Sequence, residues 1–127
     1  EIPLRLVGSE MCIRDRTLDA DGRVTSAIGD MAEPALTIAA DGGVTAPDTV
    51  RSKLELGDSY GMRNASSLGK EWYEHSEGYC SYLKGKTEKE VADIPADGSD
   101  ADLAALCTIS IDALQKAAGD AFENASL

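Results

Sequence analysis

A stripe of large apolar and aromatic residues in the middle of the chain restricts the possible folds more than any other feature. Its members recur at steps of three and four residues: Ala65, Leu68, Trp72, His75, Tyr79 and Leu83. Residues with this spacing lie on one face of an α-helix. The sequence therefore predicts a long amphipathic helix that begins at Asn64, buries this face and stops at Gly85.

Two copies of one pattern precede the stripe and predict β-hairpins. Residues 18–25 and 38–45 each have an apolar start, an Asp-Gly pair and a β-branched end. Asp-Gly favours tight hairpin turns because glycine adopts positive φ without strain. We expect strands near residues 17–18, 24–28, 35–39 and 44–46. Asp19, Asp21 and Asp41 are interpreted as solvated turn residues, because the closing glutamate of a calcium loop is absent.

Weaker signals describe the rest of the chain. Residues 47–60 are polar and aperiodic, which predicts a loop. Thr87 and Glu90 fit a capping box for a short helix to about Asp93. Residues 95–99 are predicted as a loop, 99–102 as another helical turn and 106–109 as extended chain.

The C-terminal segment completes the predicted fold. Ser110 is predicted to cap a final helix, whose buried face would contain Ile111, Leu114, Ala118 and Phe122. The fold class predicted from all these segments is α+β, in which a small antiparallel sheet of hairpins is followed by a long amphipathic helix and a C-terminal helix.

Residues 1–16 are predicted not to belong to the domain. Residues 6–16 resemble the translation of a transposase-type sequencing adapter, in one reading frame. Such a segment has to be excluded from reasoning about the fold. We therefore expect a non-native tail over residues 1–16 and a single domain over 17–127. The natural N-terminus, with any signal or anchor, would then lie outside this sequence.

Charge and hydropathy exclude several classes of partner. The chain has 23 acidic and 12 basic residues, so its net charge is −11. This balance argues against binding to nucleic acid, whose phosphates require basic patches, and against adsorption to anionic lipid. No segment approaches the roughly 20 apolar residues that a membrane span needs.

Few residues suggest chemistry by their type and spacing. Cys80 and Cys107 do not form a metal-binding pattern, so they are either a disulfide or two buried thiols, and we favour the thiols. His75 lies on the apolar stripe and is interpreted as packed and hydrogen-bonded rather than catalytic. Tyr73 and Tyr82 lie off the stripe and are available to a ligand. The residues alone show no hydrolytic site and no glycine-rich phosphate loop.

Four segments, in the same order along the chain, resemble a known family. Residues 18–25 fit the pattern D-x-x-G-x-[IV], and residues 53–62 stand where the family has an ETPGLG-like loop, without its Thr-Pro pair. Residues 69–87 resemble its W…F-x-G-K segment, and residues 102–110 its D-x-x-S-G-A-T-x-T segment. The family is the FMN-binding domain of flavin-carrying subunits in bacterial electron-transfer complexes. The chain resembles it through a related group of small extracytoplasmic lipoprotein-type proteins.

The resemblance implies an extracytoplasmic electron carrier, membrane-anchored or secreted, that binds FMN and meets a membrane redox partner protein. In the family a threonine at the position of Thr108 can carry FMN through a phosphoester bond. Because Leu106 replaces the glycine that lets backbone approach the phosphate, we expect non-covalent binding here. The cofactor-binding residues implied are Thr108, Ser110, Asp102, Trp72, Tyr73, Glu55 and Gly57, of which Thr108 and Ser110 would contact the phosphate and Trp72 or Tyr73 the ring.

Two further points belong to this prediction. The phosphate is a dianion in an acidic domain, so Lys70, Lys84 or Lys86 is expected to supply positive charge. The alternative function is a non-catalytic surface or interaction scaffold that keeps the fold without flavin. In both cases the sequence predicts a binding or carrier domain rather than a stand-alone enzyme, and no metal site.

Overall fold

Within residues 2–4, 10–33 and 36–125, which the computed structural model describes, the strands come first and the helices follow. The strands are β1 (Ile2–Leu4), β2 (Glu10–Leu18), β3 (Val24–Ala32), β4 (Leu36–Ile38) and β5 (Val44–Thr45). The α-helices are α1 (Lys53–Leu56), α2 (Trp72–Leu83), α3 (Glu88–Ala92), α4 (Ala101–Ala104) and α5 (Asp112–Ala125), with a 3₁₀ turn at Gly57–Tyr60. The predicted α+β class is confirmed.

Both predicted hairpins are present, in two antiparallel sheets. One sheet pairs β2 with β3, and the other has the order β1-β4-β5. The β2–β3 turn contains Gly22 at φ 75°, and the Asp19 carboxylate accepts the backbone N–H groups of Asp21 and Arg23, each at 2.9 Å. In this turn Asp19, two residues before the Asp-Gly pair, supplies the acceptor for the backbone N–H groups, and Gly22 supplies the positive φ.

The predicted N-terminal tail takes part in the first sheet. The backbone of Glu10, Met11, Cys12, Ile13 and Arg16 pairs with β3. Residues 1 and 5–9 of the tail, and Ala35 of the third predicted strand, lie outside the described residues. The assignment of residues 1–16 to a non-native tail stays a prediction.

The core lies around α2, which packs against β3, while α5 packs against β2 and α3. The predicted buried face of the C-terminal helix is confirmed. Cys80 and Cys107 are both buried and free. The core residues are Val24, Tyr79, Cys80, Leu83, Val91, Ile94, Leu103, Cys107, Ile111, Leu114, Ala118 and Phe122.

The long helix begins at Trp72, so the prediction that it begins at Asn64 is wrong. Glu71 is only 2% exposed, and its carboxylate accepts the N–H groups of Met62 and Arg63, each at 2.9 Å. These bonds fold residues 62–71 back onto the start of α2 as a loop. Ala65 and Leu68 are exposed in that loop, whereas the other members of the stripe are buried.

Two other local predictions are corrected. Residues 53–60 are helical rather than a loop, because Ser52 and Glu55 form a capping box at the start of α1. Residues 106–109 form a turn and an irregular connection instead of extended strand. The predicted helical turn at 99–102 is α4, which the side chain of Asp100 caps. The predicted capping box at Thr87 is also confirmed.

Candidate functional site

A cavity of about 260 Å³ lies beside the N-terminal end of α5. Thr108 and Ser110, two of the residues predicted to contact a phosphate, both line it and are both exposed. The remaining lining residues come from the loop before α4, from α4 itself and from the connection to α5: Pro95, Ala96, Asp97, Gly98, Asp100, Leu103, Ala104, Cys107, Ile109 and Ile111.

Contacts with α2 and the residues before it fix the turn before Thr108. A Cβ atom at Gly78 would lie 2.5 Å from the carbonyl oxygen of Leu106, so the missing side chain allows the two backbones to touch. The ammonium of Lys70 donates to the same oxygen at 3.2 Å. The position of Thr108 therefore depends on a close helix–turn approach that glycine permits.

His75 connects this turn to the loop before α2. Its side chain is 0% exposed. The backbone N–H of Thr108 donates to Nδ1 at 3.1 Å, so Nδ1 carries no proton, and Nε2–H donates to the hydroxyl of Ser66 at 2.9 Å. Burial lowers the pKa of His75, and the nearby positive charge of Lys70 lowers it further. The prediction of a packed, hydrogen-bonded histidine is confirmed.

Ser110 does not cap α5, so that prediction is wrong. Its hydroxyl donates to the Asp112 carboxylate at 2.9 Å, and the carbonyl of Ile111 accepts the helical N–H of Gln115 at 2.7 Å. Ile111 is thus the residue directly before the helix. It is buried, whereas Ser110 is exposed and lines the cavity.

Two carboxylates make the cavity partly acidic. Hydrogen bonding to Ser99 holds the pKa of Asp97 below its usual value, and the hydroxyl of Tyr82 does the same for Asp100. Asp100 also accepts the backbone N–H groups of Asp102 and Leu103 at the start of α4, each at 3.0 Å. Both carboxylates therefore carry charge at neutral pH while serving as turn and cap residues.

The other predicted site residues lie elsewhere. Trp72 is 3% exposed, and the ammonium of Lys53 lies 5.2 Å from the centroid of its ring. The hydroxyl of Tyr73 donates to Asp58 at 3.2 Å. Glu55 completes the capping box of α1, and Gly57 ends that helix at φ 51°. The structure groups these four residues around α1 and the start of α2, and none of them lines the cavity.

Asp102 also lies outside the cavity lining. It is exposed in the first turn of α4, where its backbone N–H is bound by Asp100. Sequence reasoning missed Asp100 and the bond between His75 and Thr108. Asp100 has a recognisable signal, since an aspartate before an acidic first turn is a favoured N-cap. The His75 bond joins residues 33 positions apart and leaves no local pattern.

The described residues contain no cluster of three or more potential metal ligands. None of the described helices combines the length and apolarity needed to cross a membrane.

Comparisons with known proteins give one partial similarity. The chain matches no family model, and no solved structure matches it. A stretch of 42 residues is 50% identical to a protein named chlorophenol reductase from Desulfitobacterium hafniense. The match covers 33% of this chain and 13% of that reductase.

Proposed function

We propose that this domain binds FMN non-covalently and acts as an extracytoplasmic electron carrier with a membrane redox partner. The observation that carries the proposal is the placement of Thr108 and Ser110. Both residues line one cavity beside the N-terminal end of α5, a helix of 14 residues. A helix N-terminus has unpaired N–H groups and a partial positive charge, which favour a phosphate.

The side chains near the cavity support the non-covalent form of the proposal. The two hydroxyls can donate to phosphate oxygens, whereas Leu106 replaces the glycine that close backbone approach would need and does not line the cavity. The name of the partial relative describes a reductase. A flavin, where bound, supplies the electron chemistry, while the protein supplies position and electrostatics.

A specific observation favours the alternative, an interaction scaffold without flavin. The backbone N–H of Thr108, a natural phosphate donor, is already bound by His75. The cavity volume of about 260 Å³ is also below the roughly 300 Å³ at which small-molecule sites begin. Binding of a whole flavin in this cavity alone would leave part of the cofactor outside it.

Titration of the full chain with FMN, followed by visible absorbance and flavin fluorescence, tests the proposal. We expect micromolar affinity, and about tenfold weaker binding in the double variant T108V/S110A, because it loses two hydrogen bonds to phosphate. Ser67→Ala, in the exposed loop 62–71, is the matched control and should bind normally. Intact mass should show no flavin adduct.

Absence of FMN binding by the wild-type chain would contradict the carrier function. The triple variant A105S/L106G/C107A then tests the scaffold alternative. Flavin binding that appears only in this variant would indicate a domain that has kept the fold and lost the cofactor.

A further inference from the structure

Two hydrogen bonds hold the turn at residues 105–107 and the following Thr108 against α2 and the loop before it. The Lys70 ammonium donates to the carbonyl of Leu106 at 3.2 Å, and the N–H of Thr108 donates to Nδ1 of His75 at 3.1 Å. Thr108 and the last residue of the turn also line the cavity beside α5. The two bonds therefore fix one wall of that cavity.

The bond between Thr108 and His75 requires a neutral imidazole. Since Nδ1 accepts, the proton of the neutral ring is on Nε2, which donates to Ser66. An imidazolium has a donor at each nitrogen and no acceptor, so no rotation of the ring can restore a bond to an N–H group. A protonated His75 therefore keeps its bond to Ser66 and loses its bond to Thr108.

The charges around the ring extend this effect to the second bond. The charged side chains that act on His75 are Lys70, from the loop before α2, and Glu74, from α2 itself. Arg63 pairs with Glu74 at 2.9 Å and offsets part of its charge, and the 105–107 turn has no charged side chain. An imidazolium would thus repel the Lys70 ammonium, which weakens the hold of Lys70 on the turn.

The other attachments of this region do not depend on His75. The hydroxyl of Tyr82 donates to Asp100 at 2.6 Å, a bond that holds the pKa of Asp100 below its usual value and so persists in mild acid. The N–H groups of Leu106 and Cys107 donate to the carbonyl of Leu103 at 2.9 and 2.8 Å. The turn therefore stays bonded to α4, and the start of α4 stays bonded to the end of α2.

We propose that His75 is a pH-sensitive switch, whose protonation releases Thr108 and the 105–107 turn from α2 and opens this wall of the cavity while the rest of the domain stays folded. The switch goes beyond the proposed function, because it works on the chain alone and needs no ligand. Burial and the charge of Lys70 lower the pKa of His75, so the wall is closed at neutral pH and opens in acid.

An NMR titration of the full chain between pH 7.5 and 5, without ligand, tests the switch. His75 is the single histidine, so its ring proton Hε1 reports protonation without overlap. We expect the amide resonances of Leu106 and Thr108 to shift with the same midpoint as the ring, while those of β3 remain the resonances of the folded domain. In His75→Asn the Leu106 and Thr108 amides should not move over this range.

Two changes of charge should move the midpoint in opposite directions. Lys70→Gln removes a positive charge and keeps a donor for the turn, so it should raise the midpoint of the His75 titration. Glu74→Gln removes a negative charge and keeps an acceptor, so it should lower the midpoint. Lys116→Gln is the matched control and should leave it unchanged, because Lys116 pairs with Asp120 on α5 and does not act on the ring.

Three results would overturn the switch. Protonation of the ring with unchanged Leu106 and Thr108 resonances would show that the turn does not depend on a neutral His75. Loss of the turn and β3 resonances at one midpoint, or a ring that stays neutral until the domain unfolds, would show that His75 acts only in global unfolding. The FMN titration at neutral pH tests the proposed function separately.

Discussion

At the scale of single residues, the buried side chain of His75 uses both nitrogens of its ring. Nδ1 accepts the backbone N–H of Thr108, and Nε2–H donates to the hydroxyl of Ser66. A proton on Nδ1 would bring two N–H donors together at 3.1 Å. The charged groups around the ring are Lys70, which opposes protonation, and Glu74, which favours it. Burial and Lys70 together outweigh the effect of Glu74, so the His75 ring is neutral in the folded protein.

The lowered pKa of His75 predicts a loss of stability in acid. The unfolded chain binds a proton near pH 6.5, whereas the folded chain does not until lower pH. The free energy of unfolding should therefore fall as pH drops below about 6.5, until the folded pKa is passed. Urea unfolding between pH 7.5 and 5 measures this slope. His75 is the single histidine of the chain, so few other groups titrate in that window.

Replacement of His75 by asparagine supplies the control. Its side-chain oxygen can accept the Thr108 N–H but has no proton to gain, so the slope between pH 6.5 and 5 should flatten. The NMR protection factor of the Thr108 amide, which corrects the exchange rate for its intrinsic dependence on pH, should fall in acid in the wild type and stay constant in the variant. An equal slope in both proteins would show that His75 does not carry the pH dependence.

At the scale of secondary-structure elements, the contact between α2 and the 105–107 turn organises the candidate site. Gly78→Ala would place a methyl group 2.5 Å from the Leu106 oxygen, and backbone cannot move away as a flexible side chain can. We expect stability to fall by about 1–3 kcal/mol, even though alanine gains about 1 kcal/mol in helix propensity. Chemical denaturation with circular dichroism measures the change.

Gly119→Ala in α5 is the matched substitution. Gly119 is also inside a helix, but a Cβ there would meet nothing within 4 Å. This variant should gain up to about 1 kcal/mol, because only the propensity changes. If both variants gained stability, the close approach at Gly78 would contribute nothing to the position of the turn.

The predictable elements are those whose signals are local. Asp-Gly turns, the Thr87 capping box and the buried face of α5 depend on neighbouring residues, and the structure confirms them. The start of α2 was mispredicted because Glu71 binds the backbone of Met62 and Arg63, a contact that overrides the helical spacing of Ala65 and Leu68. The Ser52–Glu55 capping box is also a local signal, and it starts α1 inside a segment whose polar, aperiodic composition predicts a loop.

The residues of the candidate site also divide into those that the sequence predicts and those that it does not. Thr108 and Ser110 were predicted from the resemblance, and they do meet at one cavity. Trp72 was predicted as both core and ring contact, and the structure buries it under Lys53. Burial of an aromatic side chain depends on which elements cover it, and spacing along one helix does not specify that.

At the scale of the whole molecule, β3 connects the β2–β3 sheet to the helices. Its partner on one side is β2, and α2 packs on it through Gly29, whose carbonyl accepts the Ser76 hydroxyl at 2.7 Å. A Cβ at Gly29 would lie 2.9 Å from both Leu114 and Ser76. Since α5 also packs on β2, the first hairpin supports both long helices of the described structure.

A chain that begins at Thr17 should therefore be less stable than the full chain. It loses most of β2, leaves the edge of β3 unpaired and uncovers the face of α5 that packs on that strand. We expect a loss of about 2–5 kcal/mol, from cross-strand pairs of about 0.2–1 kcal/mol each plus lost packing. The free β3 edge, with Ile28 47% exposed, should also promote self-association. Urea unfolding and light scattering after size exclusion measure the two effects.

A chain that begins at Glu10 is the control, because it keeps β2 and should lose much less stability. Equal stability of the Thr17 chain and the full chain would show that residues 1–16 contribute nothing to the domain.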